Sequence, residues 1–174
     1  MERLGSPNVR RPQRLPALRL GVLLLWLGCV MGSACETDPM NGSGDPEPVF
    51  PADYRTAYTE VRDCRFSIEH GGVSIRVLAN DVGAQAYLNG ENPLPVGSVI
   101  LKEEYNGSSC SDDSALRLIS VMRKESPGFD VDDGDWHWQE VTPQREVIND
   151  FKTNCIGCHD DAECLSRDYM CTEE

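Results

Sequence analysis

Five consecutive residues near the C-terminus, Cys155-Ile156-Gly157-Cys158-His159, carry the most specific chemistry in this 174-residue chain. They read C-x-x-C-H, the attachment signature of a c-type haem. Two thiols at this spacing can each form a thioether with one haem vinyl group. The histidine that follows can then turn its imidazole to the iron. On a turn of helix Cys155 lies beside Cys158 and His159, at i+3 and i+4, so all three address one face of a flat macrocycle. Neutral imidazole is a good iron ligand, and the identity of the axial ligand largely sets what the iron does. Two rival readings use the same side chains. Cys155, Cys158, His159, Cys164 and Cys171 contain enough sulfur and nitrogen for a tetrahedral zinc site. The cysteines could also form a plain disulfide framework with a bystander histidine. The export signal at the other end of the chain favours haem.

That signal occupies residues 1–35. Arg3, Arg10, Arg11, Arg14 and Arg19 make a positive n-region, and Leu20 to Val30 is an apolar run too short to span a bilayer. Small residues follow, Gly32-Ser33-Ala34, and then Cys35, as at the processing site of a bacterial lipoprotein; Cys29 is a competing site and unlipidated cleavage the alternative. Residues 36–51, rich in Pro, Gly, Ser and acid, are expected to be a solvated tether. Residues 52–174 form one domain, long enough to bury a core. The formal net charge of −13 becomes about −17 once the five arginines and Glu2 of the n-region are removed. So acidic a surface excludes nucleic acid as a partner. It suits a soluble exported protein, tied to a membrane only through a lipid, or a docking face for a basic redox protein.

The elements that must position the motif read mostly as strands. Val73 to Leu78, Ser98 to Tyr105, Ala115 to Arg123 and Trp136 to Val141 have strand composition or alternation. Asp81 to Leu88 suits a short helix stopped by Asn89-Gly90, and Asn92-Pro93-Leu94-Pro95 a turn. Thr142-Pro143 is expected to start a helix, with Val147, Ile148 and Phe151 as its apolar stripe, that carries the chain into the haem motif. The fold class is α+β, mainly antiparallel β-sheet with a few short helices, the C-terminal one bearing the motif. Cys64, Cys110, Cys164 and Cys171 remain, an even number in an oxidising compartment. Three pairings are open to them; Cys64–Cys110 with Cys164–Cys171 is favoured, the second closing a short loop after the motif.

Gly97-Ser98-Val99-Ile100-Leu101-Lys102-Glu103, a strand pair, Asp135-Trp136 and then a helix into C-x-x-C-H together resemble the cytochrome P-460 family over roughly residues 52–165. The resemblance implies a mostly antiparallel homodimer and one covalent haem c with an open distal side. It further implies a lysine cross-linked to the porphyrin and oxidation of hydroxylamine; a sister branch, the cytochromes c′-beta, lacks the cross-link and binds gases such as nitric oxide. By position Lys102 matches the cross-linking lysine, Cys155, Cys158 and His159 the haem ligation set, and Trp136 a tryptophan that recurs at that place. In the family the strand before the tryptophan carries a distal glutamate that relays a proton. Here Leu118 to Lys124 offers no carboxylate until Glu125, and proton transfer needs a group within hydrogen-bond reach.

Lys102 by itself, alternating with Ile100 and Glu104, would read as a solvated surface cation. Met122 and Met170 read as core fillers, but either on the iron would make a six-coordinate electron carrier. His70 and His137 are further candidates, although His137, between Trp136 and Trp138, points to the opposite face from them. Three functions therefore stand side by side. One is a periplasmic or envelope haem protein that binds or oxidises small nitrogen compounds and passes electrons to an external redox protein. The second is an electron-transfer cytochrome, and the third a protein whose haem is purely structural.

Overall fold

The computed structural model describes residues 44–150 and 153–171. Six strands, β1 (Thr59–Ser67), β2 (Val73–Ala79), β3 (Val99–Tyr105), β4 (Leu116–Lys124), β5 (Trp136–Val141) and β6 (Val147–Asn149), form one antiparallel sheet in sequence order. The helices are short: α1 (Tyr54–Ala57), α2 (Asp81–Asn89), α3 (Thr153–His159) and α4 (Ala162–Leu165). The expected α+β class is therefore the observed one.

The central strand β3 is buried along both faces, which explains its continuous apolar start and its buried charges. Alternation sends Val99 and Leu101 to one side, where they join Phe50, Tyr54, Leu78, Ile119, Val121 and Val141. Ile100 goes to the other side, with Ala79, Ala84, Met122, Trp136, Trp138, Tyr169 and Met170. Helix α2 covers part of this second side. Its start is capped by Asn80, whose Oδ1 accepts from Gly83 N, and Gly90 closes it in the left-handed conformation that Asn89-Gly90 predicts. At Gly83 a Cβ would lie 3.2 Å from Ile100 Cδ1 and 3.3 Å from Val99 O, so the glycine lets helix and strand approach.

Three expectations need correction. The chain after Thr142 does not start a helix. Thr142 to Arg145 is a turn, closed by Arg145 N donating to Thr142 O, and Val147–Asn149 pairs with β5. A proline at a helix start and at a turn leave the same sequence mark, and edge pairing decided between them; Phe151 lies outside the described residues. β1 was not anticipated, because Glu60, Arg62, Asp63 and Arg65 interrupt any alternation, and its register slips twice against β2. The packed unit also begins before residue 52. Phe50 is buried, and Val49 N donates to Gln139 Oε1 at 2.9 Å. The signal segment, Cys29, Cys35 and residues 36–43 lie outside the described residues.

Candidate functional site

The side of the sheet that holds Ile100 also receives the C-x-x-C-H helix. Cys155 and Ile156 of α3 pack against the cluster of Trp136, Trp138, Met122, Tyr169 and Met170. The His159 ring stands edge-on to Trp138 with centroids 5.1 Å apart. His159 Nδ1 lies 2.6 Å from the carbonyl oxygen of Tyr169. A carbonyl only accepts, so Nδ1 carries the hydrogen and donates, which leaves the lone pair on Nε2. Burial lowers the pKa of this imidazole, against the upward pull of that hydrogen bond. The neutral form with a free Nε2 is the one a metal can use.

The cysteines separate cleanly. Cys64–Cys110 and Cys164–Cys171 are disulfides, and Cys155 and Cys158 are free thiols. The favoured pairing is therefore the observed one. It takes two sulfurs away from the zinc reading, and no group of three or more potential metal ligands remains among the described residues. Burial pushes the Cys155 thiol up to about 11, with Glu140 adding to the effect. Both sulfurs of Cys164–Cys171 touch the Cys158 carbonyl, at 3.6 and 3.8 Å; a disulfide has no hydrogen to donate, so these are packing contacts.

Strand register builds the rest of the site. Val77, Lys102, Ser120 and Glu140 stand opposite one another across β2, β3, β4 and β5. Alternation puts this row on the same side as Ile100, Met122 and Trp138. The Lys102 side chain is only 16% exposed, so it is not the solvated cation its composition suggests. Its pKa is lowered by burial, against the upward pull of Glu104, Cys155, Glu140 and Cys158. Cys155 packs on this same side of the sheet.

Glu104 is the residue that sequence reasoning missed. Its Oε1 accepts from Ser120 Oγ at 2.9 Å and lies 3.9 Å from Lys102 Nζ, while Oε2 accepts from Arg117 at 2.9 Å. The strand β4 has no carboxylate facing this side, yet its Ser120 is flanked by Glu104 from β3 and by Glu140 from β5. The signal was present in Lys102-Glu103-Glu104, where alternation sends the second glutamate to the lysine's side. Glu103 points the other way. It is fully buried and accepts from Tyr54 Oη at 2.5 Å, Arg55 Nε at 2.7 Å and Tyr105 Oη at 2.7 Å, and also from Arg76.

The remaining candidates divide between the two sides of the sheet. Met122 and Met170 are both buried in the cluster that holds Cys155. His137 points to the opposite side of its strand from Trp136 and Trp138, as expected, and its Nε2 meets Asp150 Oδ1 at 2.8 Å. His70 lies in the β1–β2 turn with Nδ1 2.6 Å from Ser67 Oγ. Its pKa is pushed down to about 4 by burial, with the nearby charge of Lys102 adding to the shift.

A family model described as Cytochrome P460 matches residues 51–172. No curated protein matches the chain. Residues 51–172 contain both the β3 strand with Lys102 and the C-x-x-C-H helix, the two features that meet on one side of the sheet. The chain belongs to the cytochrome P460 family, and with it to the haem c cytochromes.

Proposed function

We propose that this protein is an exported mono-haem c-type cytochrome whose open distal side binds or oxidises small nitrogen compounds, hydroxylamine or nitric oxide. The observation that carries the reading is His159. Its Nδ1 is committed to the Tyr169 carbonyl, and its Nε2 is left as a lone-pair donor beside two free thiols at thioether spacing. The residues present fit a covalently held haem. Buried indole Nε1 atoms of Trp136 and Trp138, without partners among the described residues, add unspent donors on the same face. When bound, haem supplies a redox-active iron that takes up a small ligand and hands electrons on.

The chain's own groups have the following roles in this reading. Cys155 and Cys158 would tether the macrocycle, and His159 Nε2 would ligate its iron. Lys102 is the residue for a link to the porphyrin, because burial favours its neutral amine, the form that has a lone pair. Glu104 and Glu140 are the proton acceptors that β4 lacks, with Ser120 between them. The acidic surface would face an external redox protein. The chain would act in the periplasm or cell envelope, anchored by Cys35 or released, as a homodimer.

A second reading, a six-coordinate electron carrier, draws on the burial of Met122 and Met170 beside Cys155. Visible spectroscopy of protein matured in a host that attaches haem c separates the two. A high-spin ferric spectrum that changes with nitric oxide is the expected result. A low-spin spectrum unmoved by nitric oxide or carbon monoxide refutes the open site. Colour that leaves with acidified acetone refutes the covalent haem.

A further inference from the structure

The segment that follows α4 is held in an uncommon backbone conformation. Asp168 and Tyr169 are consecutive non-glycine residues with φ of 56° and 67°, in the left-handed region that such residues rarely enter. The surroundings fix them there. Both Asp168 carboxylate oxygens take hydrogen bonds from Lys124 Nζ, at 2.7 and 2.8 Å, and Oδ2 also accepts from Leu94 N at 2.8 Å. The two charged side chains are 9% and 6% exposed. Asn92 Nδ2 donates to Ser166 O at 2.5 Å, and Tyr169 Oη donates to Asp132 O at 3.2 Å. The Cys164–Cys171 bridge closes the loop from behind. All of this fixes one acceptor, the Tyr169 carbonyl, 2.6 Å from His159 Nδ1.

A buried ion pair is a poor way to gain stability, since an apolar pair of similar volume usually serves as well. It is a good way to fix geometry. We infer that Asp168, through its ion pair with Lys124, is a positioning residue. It sets the hydrogen bond from His159 Nδ1 to the Tyr169 carbonyl, and through it the electron donation of His159 Nε2 to the iron. The inference rests on His159 being the axial ligand. A strong Nδ1–H bond makes the imidazole a better donor, which stabilises the oxidised metal and lowers the reduction potential. Lys124 also lies 4.7 Å over the Trp136 ring, so the same cation holds the floor of the cluster.

The test uses the full chain with its haem attached and compares Lys124→Met, Asp168→Asn and the conservative Lys124→Arg. The iron–histidine stretching frequency of the reduced protein and the midpoint potential are read beside thermal stability. The expected result is a lower stretching frequency and a higher potential in Lys124→Met and Asp168→Asn, with most of the shift recovered in Lys124→Arg. Variants that melt earlier but keep the wild-type frequency and potential overturn the inference, because the pair is then structural only. If Lys124→Met does not fold, Asp168→Asn decides by the same readouts, since its amide oxygen still accepts from Leu94 N. A wild-type protein that is high-spin when reduced yet shows no iron–histidine stretch overturns the assignment of His159 itself. A normal wild-type stretch with unmoved variants overturns the positioning role alone.

Discussion

Lys102 Nζ and Glu104 Oε1 lie 3.9 Å apart on the same side of β3, both largely withdrawn from water. Two residues apart on a strand they share a face, and burial decides what the pair can do. Desolvation lowers the lysine pKa while the glutamate pulls it back. The amine is thus nearer to its neutral form than a surface lysine would be. We expect mass spectrometry of the digested protein to find the Lys102 peptide joined to the haem peptide of Cys155–His159. In Lys102→Arg that joined species disappears and the Soret band shifts, with the thioethers intact. A wild-type haem peptide without any Lys102 fragment rules out the link.

The Glu103 cluster on the other side predicts an acid-sensitive fold. Burial alone would raise the Glu103 pKa, yet hydrogen bonds from Arg76, Tyr54, Tyr105 and Arg55 bring it below its ordinary value of 4.5. A carboxylate held below its unfolded pKa stabilises the fold in full above about pH 4.5, and that contribution is lost as pH falls through the folded value. Glu103→Gln should cost about 3 kcal/mol at pH 7, the scale for breaking a buried pair. Its urea midpoint should also vary less than the wild type's between pH 6 and pH 3. Parallel acid limbs for the two proteins would contradict this.

The two disulfides should differ in what they contribute. Cys64–Cys110 ties the edge strand β1 to the connection after β3 and spans 46 residues, whereas Cys164–Cys171 spans 7. On loop entropy the first restricts the unfolded chain by about 4 kcal/mol and the second by about 2.5 kcal/mol. Replacing Cys64 and Cys110 by serine should therefore lower the melting temperature more. Replacing Cys164 and Cys171 should act more on the haem spectrum, because that bridge sits against Cys158 O. Equal melting shifts with equal spectra would contradict the division.

Gly134 sits beneath Tyr169. Its φ is +65°, and a Cβ there would lie 2.5 Å from Tyr169 Cε2. Gly134→Ala should destabilise by about 1–3 kcal/mol from backbone strain, with the ring contact adding to it. It should also perturb the proximal histidine signal, because Tyr169 carries the acceptor for His159. Chemical denaturation with absorption spectroscopy of the same samples checks both. A variant as stable as the wild type with an unaltered spectrum would show that the ring can move freely.

Much of this molecule could be read from local pattern. The C-x-x-C-H spacing, the strands around Ile75, Leu101, Val121 and Trp138 and the stop at Asn89-Gly90 all depend on near neighbours. The failures have physical causes. β1 is an edge strand with a poor burial pattern, so nothing in its composition announced it. Thr142-Pro143 suits a turn as well as a helix start, and the pairing of Val147 with Val141 settled which.

The amino-acid order alone determined which side chains could do chemistry: two thiols and an imidazole at the spacing of one helical turn, and a lysine alternating with a glutamate. Only the tertiary structure decided which of them meet. Register across three strands aligned Lys102, Ser120 and Glu140, and the returning C-terminal segment brought the Tyr169 carbonyl to His159. Such contacts join residues distant in sequence. They arise from the sheet's long-range hydrogen bonding and from burial, which no local window of sequence contains.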